Sequence, residues 1–76
     1  MKELVEMLVK ALVDNPDKVD IREITGEKNV MFEVRVSEED VGKVIGKSGK
    51  TINALRTIMR AATSKENKKV IVEIIQ

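Results

Sequence analysis

The 76-residue sequence predicts a single α+β domain of two layers, in which three helices cover one face of a three-stranded mixed sheet. Three observations support this prediction. Apolar residues recur with helical and strand periods in the order α-β-β-α-α-β. A short turn joins the first two strands, which is typical of a hairpin. The connection to the third strand holds two helices, so it is long enough for a right-handed crossover that makes strands two and three parallel.

The first helix is predicted from Glu3 to Asp14, and Asn15-Pro16-Asp17 ends it because the residue before a proline is pushed out of the helical region. Its spacing places four residues on one face, with Val5 and Val9 beside them: Leu4, Leu8, Ala11 and Leu12.

Two strands are predicted at Lys18 to Ile24 and Val30 to Val36, around a turn at residues 25–29. In the second strand Val30, Phe32, Val34 and Val36 alternate with Met31, Glu33 and Arg35. The first set is expected to face the helices. The opposite, open face of the sheet is then expected to show Met31, Ile71 and Ile75 alongside Glu33, Arg35 and Glu73.

Ser37-Glu38-Glu39-Asp40 is a helix-start pattern, with a serine cap and acids in the first turn, where the helix dipole favours them. We therefore interpret this acidic cluster as structural. A short helix is predicted through Val41 and Val44 to about Ile45, followed by a loop at residues 46–49. The next helix is predicted from Lys50 to Ala62, with Ile52, Leu55, Met59 and Ala62 on its apolar face, and a last strand from Val70 to Ile75.

The composition excludes several classes of chemistry. The chain has no cysteine and no histidine, so it lacks a thiol nucleophile, a disulfide and the usual general base near neutral pH. The first nine residues do not resemble a signal peptide, and no apolar run approaches the ~18 residues of a membrane span. We expect a soluble, cytoplasmic, non-enzymatic protein without a cofactor or metal.

The charges are unevenly distributed along the chain. Residues 1–40 hold six Lys or Arg against eleven Asp or Glu, whereas residues 41–65 hold six Lys or Arg and no acid. A basic stretch of this kind indicates an anionic partner, although a solvated basic helix face is an equally good explanation of the charge alone.

The loop Gly46-Lys47-Ser48-Gly49 lies within that basic stretch. Two glycines three residues apart allow a sharp turn and close approach of a ligand backbone. The following helix would present its free N–H groups and positive dipole end to the same space. Lys47 and Lys50 add charge and Ser48 adds a hydroxyl, so the loop is predicted to bind phosphate.

The Gly-Lys-Ser and Gly-Lys-Thr sequences do not form a nucleotide-binding P-loop. That motif requires a glycine five positions before its Gly-Lys-Ser/Thr glycine, where this chain has Val41 and Val44. The loop also joins two helices, whereas a P-loop follows a strand.

The stretch from Val44 to Ile52, Val-Ile-Gly-Lys-Ser-Gly-Lys-Thr-Ile, resembles the signature of the KH domain family. The order α-β-β-α-α-β is similar to the type II, prokaryotic form, and the resemblance extends over essentially the whole chain, as in small bacterial proteins made of one KH domain. It implies that single-stranded RNA, or less often DNA, is held in a narrow groove, with about four nucleotides clamped by the loop.

On this resemblance, Gly46 and Gly49 would allow close approach, and Lys47, Ser48 and Lys50 would meet phosphates. Ile45 and parts of the central strand would offer aliphatic surface to bases. Lys43 and Arg56 would widen the positive rim. The family also implies a homodimer, or pairing with another KH-containing protein, and a role as an RNA chaperone or post-transcriptional regulator.

Phe32 is the only aromatic residue, and its inward position predicts a place in the core. Without aromatic stacking, binding is expected to be weak and loose in sequence preference. An alternative remains open, in which the open sheet face or the basic helix binds another protein and nucleic-acid binding is incidental. The preferred RNA sequence, the cellular process and the oligomeric state do not follow from the sequence.

Overall fold

The computed structural model describes residues 1–75. Its elements are α1 (Lys2–Leu12), β1 (Asp20–Thr25), β2 (Asn29–Arg35), α2 (Val41–Ile45), α3 (Lys50–Ala62) and β3 (Lys69–Ile75). Single 3₁₀ turns lie at Pro16–Lys18, Glu38–Asp40, Lys47–Gly49 and Ser64–Glu66. The predicted element order is confirmed, and α3 has the predicted bounds. Within residues 1–75 there is no helix both long and apolar enough to cross a bilayer.

The sheet is mixed, with β2 in the centre. β1 pairs with β2 in antiparallel fashion, and β3 pairs with the other side of β2 in parallel fashion. At the middle of the sheet Phe32 lies opposite Glu23 on β1 and Val72 on β3. The predicted hairpin and the predicted crossover are therefore both confirmed, and β1 and β3 are left as edge strands.

The core lies between the sheet and the helices, and its centre is formed by Phe32, Val34, Val44 and Met59, each with no exposed surface. From α3, Ile52, Leu55 and Met59 are buried as predicted, whereas Ala62 is exposed. The buried side of α1 is rotated about the helix axis relative to the apolar face that the sequence spacing indicates. Its fully buried residues are Val5 and Val9, while Leu4 and Leu8 are only partly buried and Ala11 and Leu12 are exposed.

The open face of the sheet carries the predicted residues and three more from β1, namely Asp20, Arg22 and Ile24. The register aligns Ile24, Met31 and Ile71 in one apolar row, and Arg22, Glu33 and Glu73 in the next. Arg22 Nη1 lies 3.9 Å from Glu33 Oε1. Ile24 is 44% exposed. The sequence-based prediction of this face does not include it. Its place follows from the pairing register, which fixes the face of every strand residue.

A buried carboxylate joins the end of α1 to the start of α2. Asp40 is fully buried, and it accepts hydrogen bonds from the backbone N–H groups of Asp14 and Asn15, at 3.2 and 3.0 Å, and from the Asn15 amide at 3.0 Å. The Ser37 hydroxyl donates to the same carboxylate at 2.9 Å. The structural interpretation of the acids holds for Asp40, but the predicted capping role of Ser37 is wrong, because its hydroxyl bonds to Asp40 and caps no backbone N–H.

This network predicts acid sensitivity. Burial by itself raises the pKa of Asp40, but the hydrogen bonds from Asn15, Asp14 and Ser37 outweigh it and lower the pKa from 3.8 to about 2. A depressed folded pKa means that the stabilisation is complete above about pH 4 and is lost as the pH falls through about 2. The urea concentration at the midpoint of unfolding should therefore decrease as the pH is lowered from 4 to 2.

The Asp40→Asn variant should unfold at lower urea concentration at pH 7, because an amide nitrogen would then face N–H and O–H donors. Its midpoint should also change less between pH 4 and pH 2 than that of the unmodified chain. Glu38→Gln is the matched control, since Glu38 is exposed and its side chain makes no hydrogen bond within residues 1–75. Equal midpoints for Asp40→Asn and Glu38→Gln at every pH would contradict this account.

Candidate nucleic-acid interface

The loop between α2 and α3 is built from residues with positive φ. Gly46 has φ 76° and ψ 169°, Ser48 has φ 58° and ψ 25°, and Gly49 has φ 76° and ψ 14°. The Gly46 N–H closes α2 on the Gly42 carbonyl at 2.8 Å, and the Gly49 N–H donates to the Gly46 carbonyl at 3.1 Å. The chain thus ends one helix, turns once and begins the next within four residues.

Gly46 and Gly49 are needed for different reasons. A Cβ on Gly46 would lie 2.2 Å from Thr51 Oγ1 and 2.8 Å from the Thr51 backbone nitrogen, so the loop packs too closely on α3 for any side chain. A Cβ on Gly49 would find ordinary contacts, the nearest at 3.8 Å to Asn53 Nδ2. At Gly49 the constraint is the positive φ alone.

The turn leaves two backbone donors without partners. Lys47 and Ser48 are the first residues of the turn that begins after Gly46, so their N–H groups have no carbonyl of that turn to bind, and no side chain caps the turn. Both residues are exposed, so water can reach these groups and an anion can replace it. Successive N–H groups in such a turn form a concave anion site, and the start of the 13-residue α3 adds its positive dipole end.

The cations beside these amides are not neutralised. Lys47 and Lys50 are exposed, and neither has an ion-pair partner among residues 1–75. The first turn of α3 contains no acid. The predicted phosphate-contacting residues Gly46, Lys47, Ser48, Gly49 and Lys50 therefore share one exposed, electropositive edge.

Lys43 has a different environment from the other cations. Its ammonium group forms an ion pair with the Asp14 carboxylate and lies 3.6 Å from Asp40 Oδ1. The hydrogen bond that Lys43 donates to the Asp14 carboxylate raises the pKa of Lys43. Its charge is thus shared with two acids. Sequence periodicity could not reveal the contact with Asp14, because Asp14 lies 29 positions away in the chain.

Arg56 reaches the free edge of the sheet. Its Nη2 donates to the Val72 carbonyl at 3.1 Å, and its Nη1 donates to Asn53 Oδ1 at 3.1 Å. β3 is an edge strand, so its outer backbone groups lie beside α3 and are accessible to a ligand. The resemblance to the KH family implies a place for Arg56 on the positive rim, but the sequence does not indicate its bond to β3.

Aliphatic surface lies at the end of the sheet next to α2, and not along the inward side of β2. The inward side chains of β2 are at most 3% exposed, so the central strand offers none of them to a ligand on the helix side. A cleft of about 510 Å³ lies instead at the end of the sheet, lined by Val36, Glu38, Val41 and Ile75. Ile45 is half-buried and lies one helical turn after Val41, on the same side of α2. That four-residue spacing is the signal that could have identified Val41.

The site has no arrangement for metal chemistry. Among residues 1–75, no group of three or more His, Cys, Asp or Glu could hold a metal ion. The site can present N–H donors, ammonium groups, one guanidinium and aliphatic surface, which are groups that can bind an anion and pack against an apolar ring.

The order α-β-β-α-α-β and a G-x-x-G turn between adjacent helices define a KH-type domain. Residues 2–74 match the model of the KhpA/KhpB KH domain. The chain is 56% identical over 75 residues to the RNA-binding protein KhpA of Clostridium perfringens, covering 99% of this chain and 100% of that protein.

The RNA-binding protein KhpA of Aquifex aeolicus is 50% identical over 76 residues, covering 100% of this chain and 96% of that protein. The KhpA of Caldanaerobacter subterraneus is 55% identical over 75 residues, covering 99% and 100%. No solved structure matches the chain. The chain belongs to the KhpA/KhpB family of KH-domain proteins.

Substitutions at the glycines test the loop geometry. Gly46→Ala should lower the free energy of unfolding by about 1–3 kcal/mol, because its backbone region is nearly restricted to glycine and its Cβ would clash with Thr51. Gly42→Ala is the matched control, since nothing lies within 4 Å of its added Cβ. Because alanine favours helix, Gly42→Ala should raise stability by up to about 1 kcal/mol. Chemical denaturation of both variants measures the difference, and equal effects would refute the geometry.

Proposed function

We propose that this protein binds short single-stranded RNA at the loop of residues 46–49 and acts without catalysis, as an RNA chaperone or post-transcriptional regulator. The observation that carries the proposal is the pair of unpartnered N–H groups at Lys47 and Ser48, next to the uncompensated charges of Lys47 and Lys50. The names of the KhpA relatives as RNA-binding proteins support it.

In this proposal a phosphate replaces water at the two amides. Because Gly49 has no side chain, the ligand backbone can approach the loop closely. The Ser48 hydroxyl and the ammonium groups of Lys47 and Lys50 contact the same phosphate or the next one. Gly46 acts indirectly, because only glycine lets the loop lie against Thr51 and so hold the amides in place.

The bases would lie on the side of the loop that faces the sheet. Ile45 and the neighbouring cleft offer aliphatic surface, and Arg56 with the Val72 carbonyl offers polar groups to a base edge. Lys43 belongs to the rim of this site only when it leaves Asp14.

The expected affinity is low. Phe32 is fully buried and cannot stack on a base, so the ~1–3 kcal/mol that one aromatic contact contributes is absent. The loop reads phosphates, which carry no sequence information, so discrimination depends on Arg56 and the aliphatic cleft. Single-stranded DNA presents the same phosphates and should bind as well. A cytoplasmic location is proposed on the same grounds, because RNA is the ligand.

Replacing Lys47 and Ser48 together by Asp tests the loop as the clamp. The variant should lose binding to short fluorescently labelled RNA, because two carboxylates would stand beside the amides that meet phosphate. For the unmodified chain, neutralisation of about three phosphates predicts that log affinity falls against log salt with a slope near −2. Fluorescence anisotropy across salt concentrations measures both quantities, and an unchanged thermal melt confirms the fold.

Ser64→Asp with Lys65→Asp is the matched control, since it makes the same two changes in residue type on an exposed 3₁₀ turn at the other end of α3. This control should retain most of the RNA affinity. Unchanged RNA binding by the folded loop variant would show that the loop is not the clamp.

A second candidate function is association with another KH-domain chain, either a second copy or a different protein. An apolar groove of about 210 Å³ lies between α1 and α3, lined by Leu8, Ala11, Leu12, Thr51, Ala54, Leu55 and Ile58. Leu12 is 39% and Ile58 43% exposed. Pairing through this groove would link two loops and raise their joint affinity for one strand.

The Ile58→Lys substitution tests whether self-association uses this groove or the open face of the sheet. It should weaken self-association at least about tenfold, because a charge would be buried without a partner. Ile24→Lys is the control, since Ile24 is 44% exposed but lies on the open sheet face. Sedimentation equilibrium measures both variants. Dissociation by Ile24→Lys alone would move the interface to the open face, and a monomeric unmodified chain would exclude self-association.

A further inference from the structure

Lys43 differs from Lys47 and Lys50 because its ammonium group is held in an ion pair. Asp14 and Lys43 are both accessible, with side chains 74% and 45% exposed. Asp40 is also near, but its Oδ1 lies 3.6 Å from the ammonium nitrogen, beyond hydrogen-bond distance. Asp14 therefore accepts the hydrogen bond from Lys43, and Asp40 adds a longer ion pair.

Asp40 does not depend on Lys43 for its own stability. Its carboxylate already accepts hydrogen bonds from Asp14, Asn15 and Ser37. Lys43 can therefore leave without exposing an unsatisfied buried charge. The contact with Asp14 is an accessible ion pair of the kind that contributes little to stability and exchanges readily.

Lys43 lies close enough to the loop to serve either partner. It precedes Gly46 by three residues on α2, so the two share one side of the helix about one turn apart. A lysine side chain has a flexible four-carbon stem and can turn its ammonium group toward the loop. Phosphates on a strand that passes along α2 from the loop would compete with Asp14 for it.

We propose that Asp14 masks Lys43 and thereby limits the affinity of the loop for an anionic strand, which must displace this carboxylate to gain one further phosphate contact. This inference rests on the proposed function and adds a residue outside the basic segment that sets its strength. Asp14 acts through Lys43 and does not touch the ligand, so it is a positioning residue.

The test measures binding of a labelled ten-nucleotide oligouridine to the full chain by anisotropy, at several salt concentrations. Asp14→Asn keeps the backbone N–H that donates to Asp40 and removes only the competing charge. It should bind about three- to tenfold more tightly at low salt. Its slope against log salt should be steeper by about 0.7, the value of one added phosphate contact on a single strand.

Asp17→Asn is the matched control, because it removes the same charge three residues further along the chain. The Asp17 carboxylate is exposed and has no ion pair or hydrogen bond to another part of the described structure. A general change in net charge would raise affinity equally in both variants, whereas masking predicts a gain and a steeper slope only in Asp14→Asn.

The Lys43→Met substitution tests whether the effect of Asp14→Asn acts through Lys43. In the Asp14→Asn background it should abolish the gain and restore the shallower slope. Equal behaviour of Asp14→Asn and Asp17→Asn, or a gain that persists without Lys43, would overturn the masking proposal and leave RNA binding at the loop intact. Absence of binding by the unmodified chain would instead overturn the proposed function itself.

Discussion

The close packing of Gly46 on Thr51 is the constraint on which the site depends. A side chain at position 46 would overlap both the hydroxyl and the backbone nitrogen of Thr51, so the chain can enter α3 along this path only with glycine there. Because the turn is completed within four residues, the N–H groups of Lys47 and Ser48 have no carbonyl to reach. Their availability is thus a consequence of helix-to-helix packing, and the anion site comes from the fold before any side chain contributes.

The surrounding structure holds this turn in place from two sides. Asp40 ties the chain after α1 to the start of α2, and Val44, Leu55 and Met59 fix α2 and α3 on the sheet. The same junction sets the charge balance, since Asp14 lies next to Asn15 and reaches Lys43. The acidic first part of the chain therefore supports the start of α2 through Asp40 and pairs with the charge of Lys43 through Asp14.

The sequence allowed the element order, the mixed sheet and the bounds of α3 to be predicted, because those depend on local periodicity and connection lengths. It did not settle the face of α1, since leucines and valines both repeat at helical spacing and only packing selects Val5 and Val9. The loop residues were predicted because they are contiguous. The pairing of Lys43 with Asp14 and the bond from Arg56 to Val72 were not, because they join residues 29 and 16 positions apart.

The most direct measurement of the central claim is a titration of the isotopically labelled chain with a short oligouridine, followed through backbone amide resonances by NMR. The account predicts that the amides of Lys47 and Ser48 shift most, in a saturable manner, and that added salt reverses the shifts. If those two amides stay unmoved while residues on the open sheet face, such as Met31 and Ile71, shift instead, the loop is not where the strand binds.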